Sequence, residues 1–127
     1  MILKHKIGQF GEGEAVKYLK KLGCSIVARN YRKPWGEIDI IAQKGKDLLF
    51  VEVKTVTRAD VLHETGDSYE PEDNIHPWKL KRLARTIETF LLQNDKYEDC
   101  DWQLDSIAIY LDPAQKVLKI EHLEDIL

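Results

Sequence analysis

The feature that most constrains this chain is a pair of strand-forming apolar runs with charges in their interior. Residues 37–42 read Glu37-Ile38-Asp39-Ile40-Ile41-Ala42, and residues 48–54 read Leu48-Leu49-Phe50-Val51-Glu52-Val53-Lys54. Gly45-Lys46-Asp47 turns the chain between them, so the two runs predict adjacent strands of one hairpin. With side chains alternating along a strand, Glu37, Asp39 and Ile41 share one face of the first, opposite Ile38, Ile40 and Ala42. The same counting groups Leu48, Phe50, Glu52 and Lys54 against Leu49, Val51 and Val53. A central strand that is apolar on both sides buries charge at a large cost unless the charge is paired or binds a metal. Two carboxylates and an ammonium brought together across a hairpin suit a hard divalent cation held by oxygen ligands. The competing reading is a solvated Glu52 and Lys54 ion pair at a sheet edge.

Around this hairpin the periodicity predicts a helix over residues 9–22, a strand over 25–31, a turn at Pro34-Trp35-Gly36, and strands over 37–43 and 48–55. Residues 58–76 are polar and acidic with Gly66 and Pro71, which reads as a long loop. Pro77 opens a second helix to residue 93, followed by an acidic turn, strands over 103–111 and 116–121, and a helical turn over 123–127. The order αβββαββ predicts an α/β protein, a central mixed sheet flanked by helices, as one domain over residues 1–127. No apolar run approaches the roughly 20 residues of a membrane span, and 32% of the 127 residues are charged. The net charge of −3 gives no global positive field, so any polyanion contact has to be local. Cys24 and Cys100 have no metal-binding spacing, and the N-terminus lacks a secretory signal pattern; both fit a cytoplasmic protein.

The first helix separates two acids. Glu12 falls within the apolar stripe of Ala15, Val16, Leu19 and Leu22, whereas Glu14 falls beside Lys17 and Lys21. Stabilisation of an acid in a first helical turn is the plainer account of Glu12, but it does not explain the inward direction. Glu37 reads equally as a supporting partner of Asp39 or as a solvated side chain, and Asp105 as structural or supporting. On the second helix Trp78, Lys79, Lys81, Arg82 and Arg85 lie away from Leu83, Ile87 and Leu91, which predicts either a solvated face or a surface for nucleic-acid phosphates. Gly8-x-x-Gly11-x-Gly13 lacks the residues of a phosphate loop and reads as flexible backbone leading into the first helix. The four histidines share no spacing that favours zinc.

The run Gly36-Glu37-Ile38-Asp39-Ile40-Ile41-Ala42, followed by Phe50-Val51-Glu52-Val53-Lys54-Thr55, closely resembles the YraN-like family of bacterial proteins. Gly11-Glu12-x-x-Ala15-x-x-Tyr18-Leu19 and Arg29-Asn30-Tyr31-Arg32 precede it in the same pattern, and Lys79, Trp102-x-x-Asp105 and Glu121-His122 continue it. That family is similar to the PD-(D/E)xK nucleases, a superfamily that includes Holliday junction resolvases and restriction endonucleases. The resemblance implies a restriction-endonuclease-like core and metal-dependent hydrolysis of DNA phosphodiester bonds, at branched or recombination structures. Carried over by position, Asp39, Glu52 and the Val53 carbonyl would hold Mg²⁺ or Mn²⁺, with Glu12 as a further ligand or water orienter. Lys54 would stabilise the attacking hydroxide and the charge growing on the phosphate. Glu12, Asp39, Glu52 and Lys54 are then the catalytic set, and Trp78, Lys79, Lys81, Arg82 and Arg85 the DNA-contacting set. DNA is the implied partner, with no membrane, and a homodimer is left open. The alternative from a different class is a nuclease-like module that binds nucleic acid or a protein without cutting. One departure stands out: the family often has arginine after Val-Lys-Thr, where this chain has Val56.

Overall fold

The computed structural model describes residues 4–57 and 76–127. Helix α1 (Lys4–Lys21) leads into strands β1 (Ser25–Lys33), β2 (Gly36–Lys44) and β3 (Asp47–Thr57). Helix α2 (Pro77–Gln93), a 3₁₀ turn (Asp95–Tyr97) and strands β4 (Asp101–Leu111) and β5 (Val117–Leu123) follow. The strands form one sheet in the order β1-β2-β3-β4-β5, with β3 and β4 parallel and every other pair antiparallel. This is the αβββαββ order and mixed central sheet that the residue pattern predicts. Among the described residues no helix is long and apolar enough to cross a membrane.

The two helices cover opposite faces because each strand residue that points away from one helix points toward the other. Ala15, Val16 and Leu19 of α1 pack on Ile40, Ala42, Leu49, Val51, Ile107 and Ile109. Leu83, Ile87 and Phe90 of α2 pack on Ile38, Ile41, Leu48, Phe50 and Leu104. Each large side chain buried this way stabilises the fold by roughly 1.5–3 kcal/mol before entropy is counted. Val56, the departure from the family pattern, is buried with Ala108 and Tyr110, so an apolar residue there seals the β3 to β4 junction.

Three expectations need correction. First, α1 begins at Lys4 rather than at residue 9, and Gly8, Gly11 and Gly13 are helical rather than flexible backbone leading into it. Burial of the helix overrides the glycines' low propensity, and Gly11 is required: a Cβ there would overlap Thr55 Oγ1 on β3. Second, residues 124–127 form no helical turn. Their amides are engaged elsewhere, Ile126 N–H donating to the Leu104 carbonyl at 2.8 Å and Asp125 N–H to Asp105 Oδ1 at 3.0 Å. Third, the alternation along β2 breaks at Asp39: Ile40 and Ala42 face α1, but Ile38 faces α2 together with Ile41. The loop expected over residues 58–76 lies outside the described residues except for His76, whose carbonyl accepts the Lys79 and Leu80 amides at the start of α2.

Candidate functional site

The break in alternation marks the place where β2 and β3 part. Their pairing runs from Lys44↔Asp47 to Ile40↔Val51 and ends, while β2 goes on pairing with β1 as far as Gly36. Beyond Val51 the edge of β3 that faces β2 has no strand partner among the described residues, and the Asp39 side chain takes that place: Oδ2 accepts the Val53 N–H at 2.7 Å. Because the N–H and C=O of one strand residue point the same way, the Val53 carbonyl faces the same fork. β1 is distorted at this level too. Asn30 has φ of 53°, a left-handed conformation that asparagine tolerates better than most residues. With its amide nitrogen turned toward the acids, the orientation its neighbours require, Asn30 donates to Glu12 Oε1 and Glu37 Oε1, each at 3.2 Å.

Two glycines let the helices close on this fork. Gly11 brings α1 against Thr55, so the next residue, Glu12, enters the cleft. Gly36 brings the start of β2 against Arg82 and Thr86 of α2, and Glu37 follows it. Glu14, by contrast, pairs with the solvent-facing Lys17 at 3.5 Å. Glu37 also meets Arg32 at 3.3 Å, and Glu52 Oε1 meets Lys79 Nζ at 2.7 Å.

Burial, and after it the crowding of acids, sets the electrostatics. Burial first, and then the Glu52 carboxylate, push Asp39 up to about 8; the Val53 N–H opposes this, and Glu12 and Glu37 add to it. Burial also raises Glu12, against the pull of Arg29, with Glu37 and Glu52 raising it further and the Asn30 hydrogen bond lowering it. Two cavities meet at these acids. One of about 590 Å³ is lined by His5, Gln9, Glu12, Asn30, Arg32 and Asp39. The other, of about 270 Å³, is lined by Asp39, Glu52, Trp78, Lys79, Arg82 and Leu83, and both touch Glu37.

The structure therefore gathers Glu12, Asp39, Glu52 and the Val53 backbone, and it brings in Glu37 and Asn30, which motif reading weighed lightly or passed over. Lys54 is not gathered: it is exposed on β3 and forms no ion pair among the described residues. The ammonium against Glu52 belongs instead to Lys79, which is thereby turned inward from the basic face assigned to it. Trp78, Lys81, Arg82 and Arg85 remain exposed on α2.

A second polar cluster lies under α1, on β4 and β5. Asp105 is fully buried and its Oδ2 meets His122 Nε2 at 2.7 Å, while His122 Nδ1 meets the Tyr18 hydroxyl at 2.9 Å. Asp105, His122 and Glu124 have ligand-type atoms within 4.8 Å of one another, the one such trio among the described residues. Histidine spacing along the chain could not find it, because β4 and β5 register creates it. Asp105 Oδ1 is satisfied by Gln103 Nε2 and the Asp125 N–H, so hydrogen bonding accounts for the cluster.

The fold and the fork define an α/β protein with a five-stranded mixed sheet flanked by two helices and an acidic cleft where two central strands diverge. The chain belongs to the family described as Uncharacterised protein family UPF0102, the YraN family, whose pattern matches residues 11–109. It is similar to a UPF0102 protein of Caldicellulosiruptor saccharolyticus, 34% identical over 96% of this chain and 97% of the relative. A UPF0102 protein of Flavobacterium psychrophilum is 39% identical over 94% of this chain and 91% of its own length. One of Geotalea daltonii is 40% identical over 94% and 87%.

Proposed function

We propose that the protein is a Mg²⁺- or Mn²⁺-dependent endonuclease that hydrolyses DNA phosphodiester bonds, at branched or recombination structures. The observation that carries this reading is the partly buried Asp39, whose carboxyl sits in one cleft with Glu52, Glu12 and Glu37 and is pushed up to about 8 by burial first and then by Glu52, with Glu12 and Glu37 adding to it. A fold keeps mutually repelling carboxylates in one cleft at a cost in stability, and a cation is the partner that removes it. The donor chemistry fits, since hard oxygens from Asp39, Glu52, the Val53 carbonyl and Glu12 are what Mg²⁺ or Mn²⁺ prefers, although the Glu12, Asp39 and Glu52 carboxylates do not lie within 4.8 Å of one another as a trio, so a cation would have to draw them together. Bound there, the cation would supply a more acidic water and stabilise charge on the phosphate.

The chain's own residues would do the rest. The Val53 N–H holds one Asp39 oxygen and leaves the other without a hydrogen bond among the described residues. Asn30 steadies Glu12 and Glu37, and Arg32 partly neutralises Glu37. Lys79 orients the Glu52 carboxylate. Lys54, with no ion-pair partner among the described residues, would answer the charge that grows on the phosphate oxygens. One observation favours the binding-only reading: the Lys79 ammonium at 2.7 Å already neutralises Glu52.

A cleavage screen across single-stranded, duplex, flap and four-way junction DNA, with each ion, separates the two. Nicking that disappears in Asp39→Asn, Glu52→Gln and Lys54→Ala, with each variant folded, supports the enzyme. Binding without nicking on every substrate leaves the module reading, and normal cutting by Lys54→Ala refutes the catalytic assignment.

A further inference from the structure

Resting on the proposed action on DNA, we infer that the smaller cavity is a subsite for an unpaired nucleobase, with Trp78 as its stacking wall, so that the preferred substrate presents single-stranded nucleotides beside the acids. This cavity, about 270 Å³, opens directly on Asp39 and Glu52. Trp78 lines it and is 57% exposed, unusual for the largest aromatic side chain.

The ring is held in place rather than free. The Arg82 guanidinium lies 5.8 Å from its centroid, and the His76 ring is aligned with it to within 8° at 6.1 Å. Arg82 is itself fixed, Nε donating to the Trp35 carbonyl at 3.0 Å, and Arg85 lies on the Trp35 ring at 4.2 Å. With Lys79 on Glu52, three of the four cations on this helix have partners among the described residues. A face meant only to neutralise duplex phosphates would gain from mobile cations; this one is a preset aromatic and guanidinium wall.

Stacking is available to a base that has left its own stack, since every base has a π-face and a duplex keeps those faces covered. Among the described residues the terminal nitrogens of Arg82 make no hydrogen bond, so their donors can meet the adjoining phosphate. An unpaired strand can thus lay a base on Trp78 and present its backbone toward Asp39 and Glu52.

The test is fluorescence anisotropy of the full chain, in EDTA to prevent cutting, with a labelled single-stranded oligonucleotide and a hairpin duplex of the same sequence. Wild type, Trp78→Ala and Trp78→Phe are compared, with circular dichroism as the check on folding. Stacking is worth about 1–3 kcal/mol per base, so Trp78→Ala is expected to weaken single-strand binding roughly 5- to 150-fold. Trp78→Phe, which keeps a ring, is expected to restore most of it, and duplex binding is expected to change little. Equal affinity of wild type and Trp78→Ala for the single strand overturns the subsite, while DNA binding and nicking that persist leave the nuclease reading standing. Absence of both binding and metal-dependent nicking on every DNA overturns the two together.

Discussion

Replacing Asp39 by asparagine is expected to stabilise the metal-free protein, and to do so more as pH rises. The carboxyl group is displaced from 3.8 to about 8. Between those values the native state holds a proton that the unfolded chain releases, so stability falls with rising pH across the window and levels off above it. At about 1.36 kcal/mol per pH unit, the difference from a neutral isostere is on the order of 4 kcal/mol at pH 7. Sharing of charge with Glu52 and Glu12 makes that an upper figure. Asparagine keeps an oxygen for the Val53 N–H, so the hydrogen bond can persist. Melting curves in EDTA from pH 5 to 9 are expected to show Asp39→Asn above wild type by several degrees at pH 8, with the gap shrinking toward pH 5. Added Mn²⁺ is expected to raise wild type, by about 2.7 kcal/mol at a hundred times Kd, and to leave Asp39→Asn nearly unmoved, while Glu14→Gln responds as wild type does. A variant that melts below wild type at pH 8, or a gap independent of pH, would refute the argument that Asp39 is ionised against its neighbours.

Gly11→Ala should destabilise by about 1–3 kcal/mol, as overpacking does, and Thr55→Ala in the same chain should recover most of it; urea midpoints of the two variants read this directly. His122→Ala takes partners from the buried Asp105 and from Tyr18 and should cost about 2–4 kcal/mol, seen as a lower urea midpoint at an unchanged slope. Glutamine at Lys81, Arg82 and Arg85 together should flatten the salt dependence of DNA affinity, by about 0.9 in slope for each phosphate that is no longer neutralised. An unchanged slope by anisotropy titration would return that helix face to solvent.

Much of the fold is legible in residue order because local patterns carry it. The interior charges flanked by Gly45 announced the β2 and β3 hairpin, Pro77 marked the first residue of α2, and the helical stripe singled out Glu12 rather than Glu14. Such features depend on neighbours within one or two turns, where periodicity equates position with direction. The site's finer make-up does not. Strict alternation puts Ile38 with Ile40, and only the end of β2 to β3 pairing after Ile40, with Asp39 bonded to Val53, explains why the two face opposite helices. The order Glu-x-Lys promises that Lys54 will meet the acids, yet the crossing of α2 delivers Lys79 to Glu52 and leaves Lys54 in solvent. Tyr18 and His122 are 104 residues apart, and no spacing rule links them: α1 packs on the sheet above β4 and β5, whose register sets His122 beside Asp105. Faces follow from local geometry, but which charged tips meet is decided by how separate elements cross and where a strand pair ends.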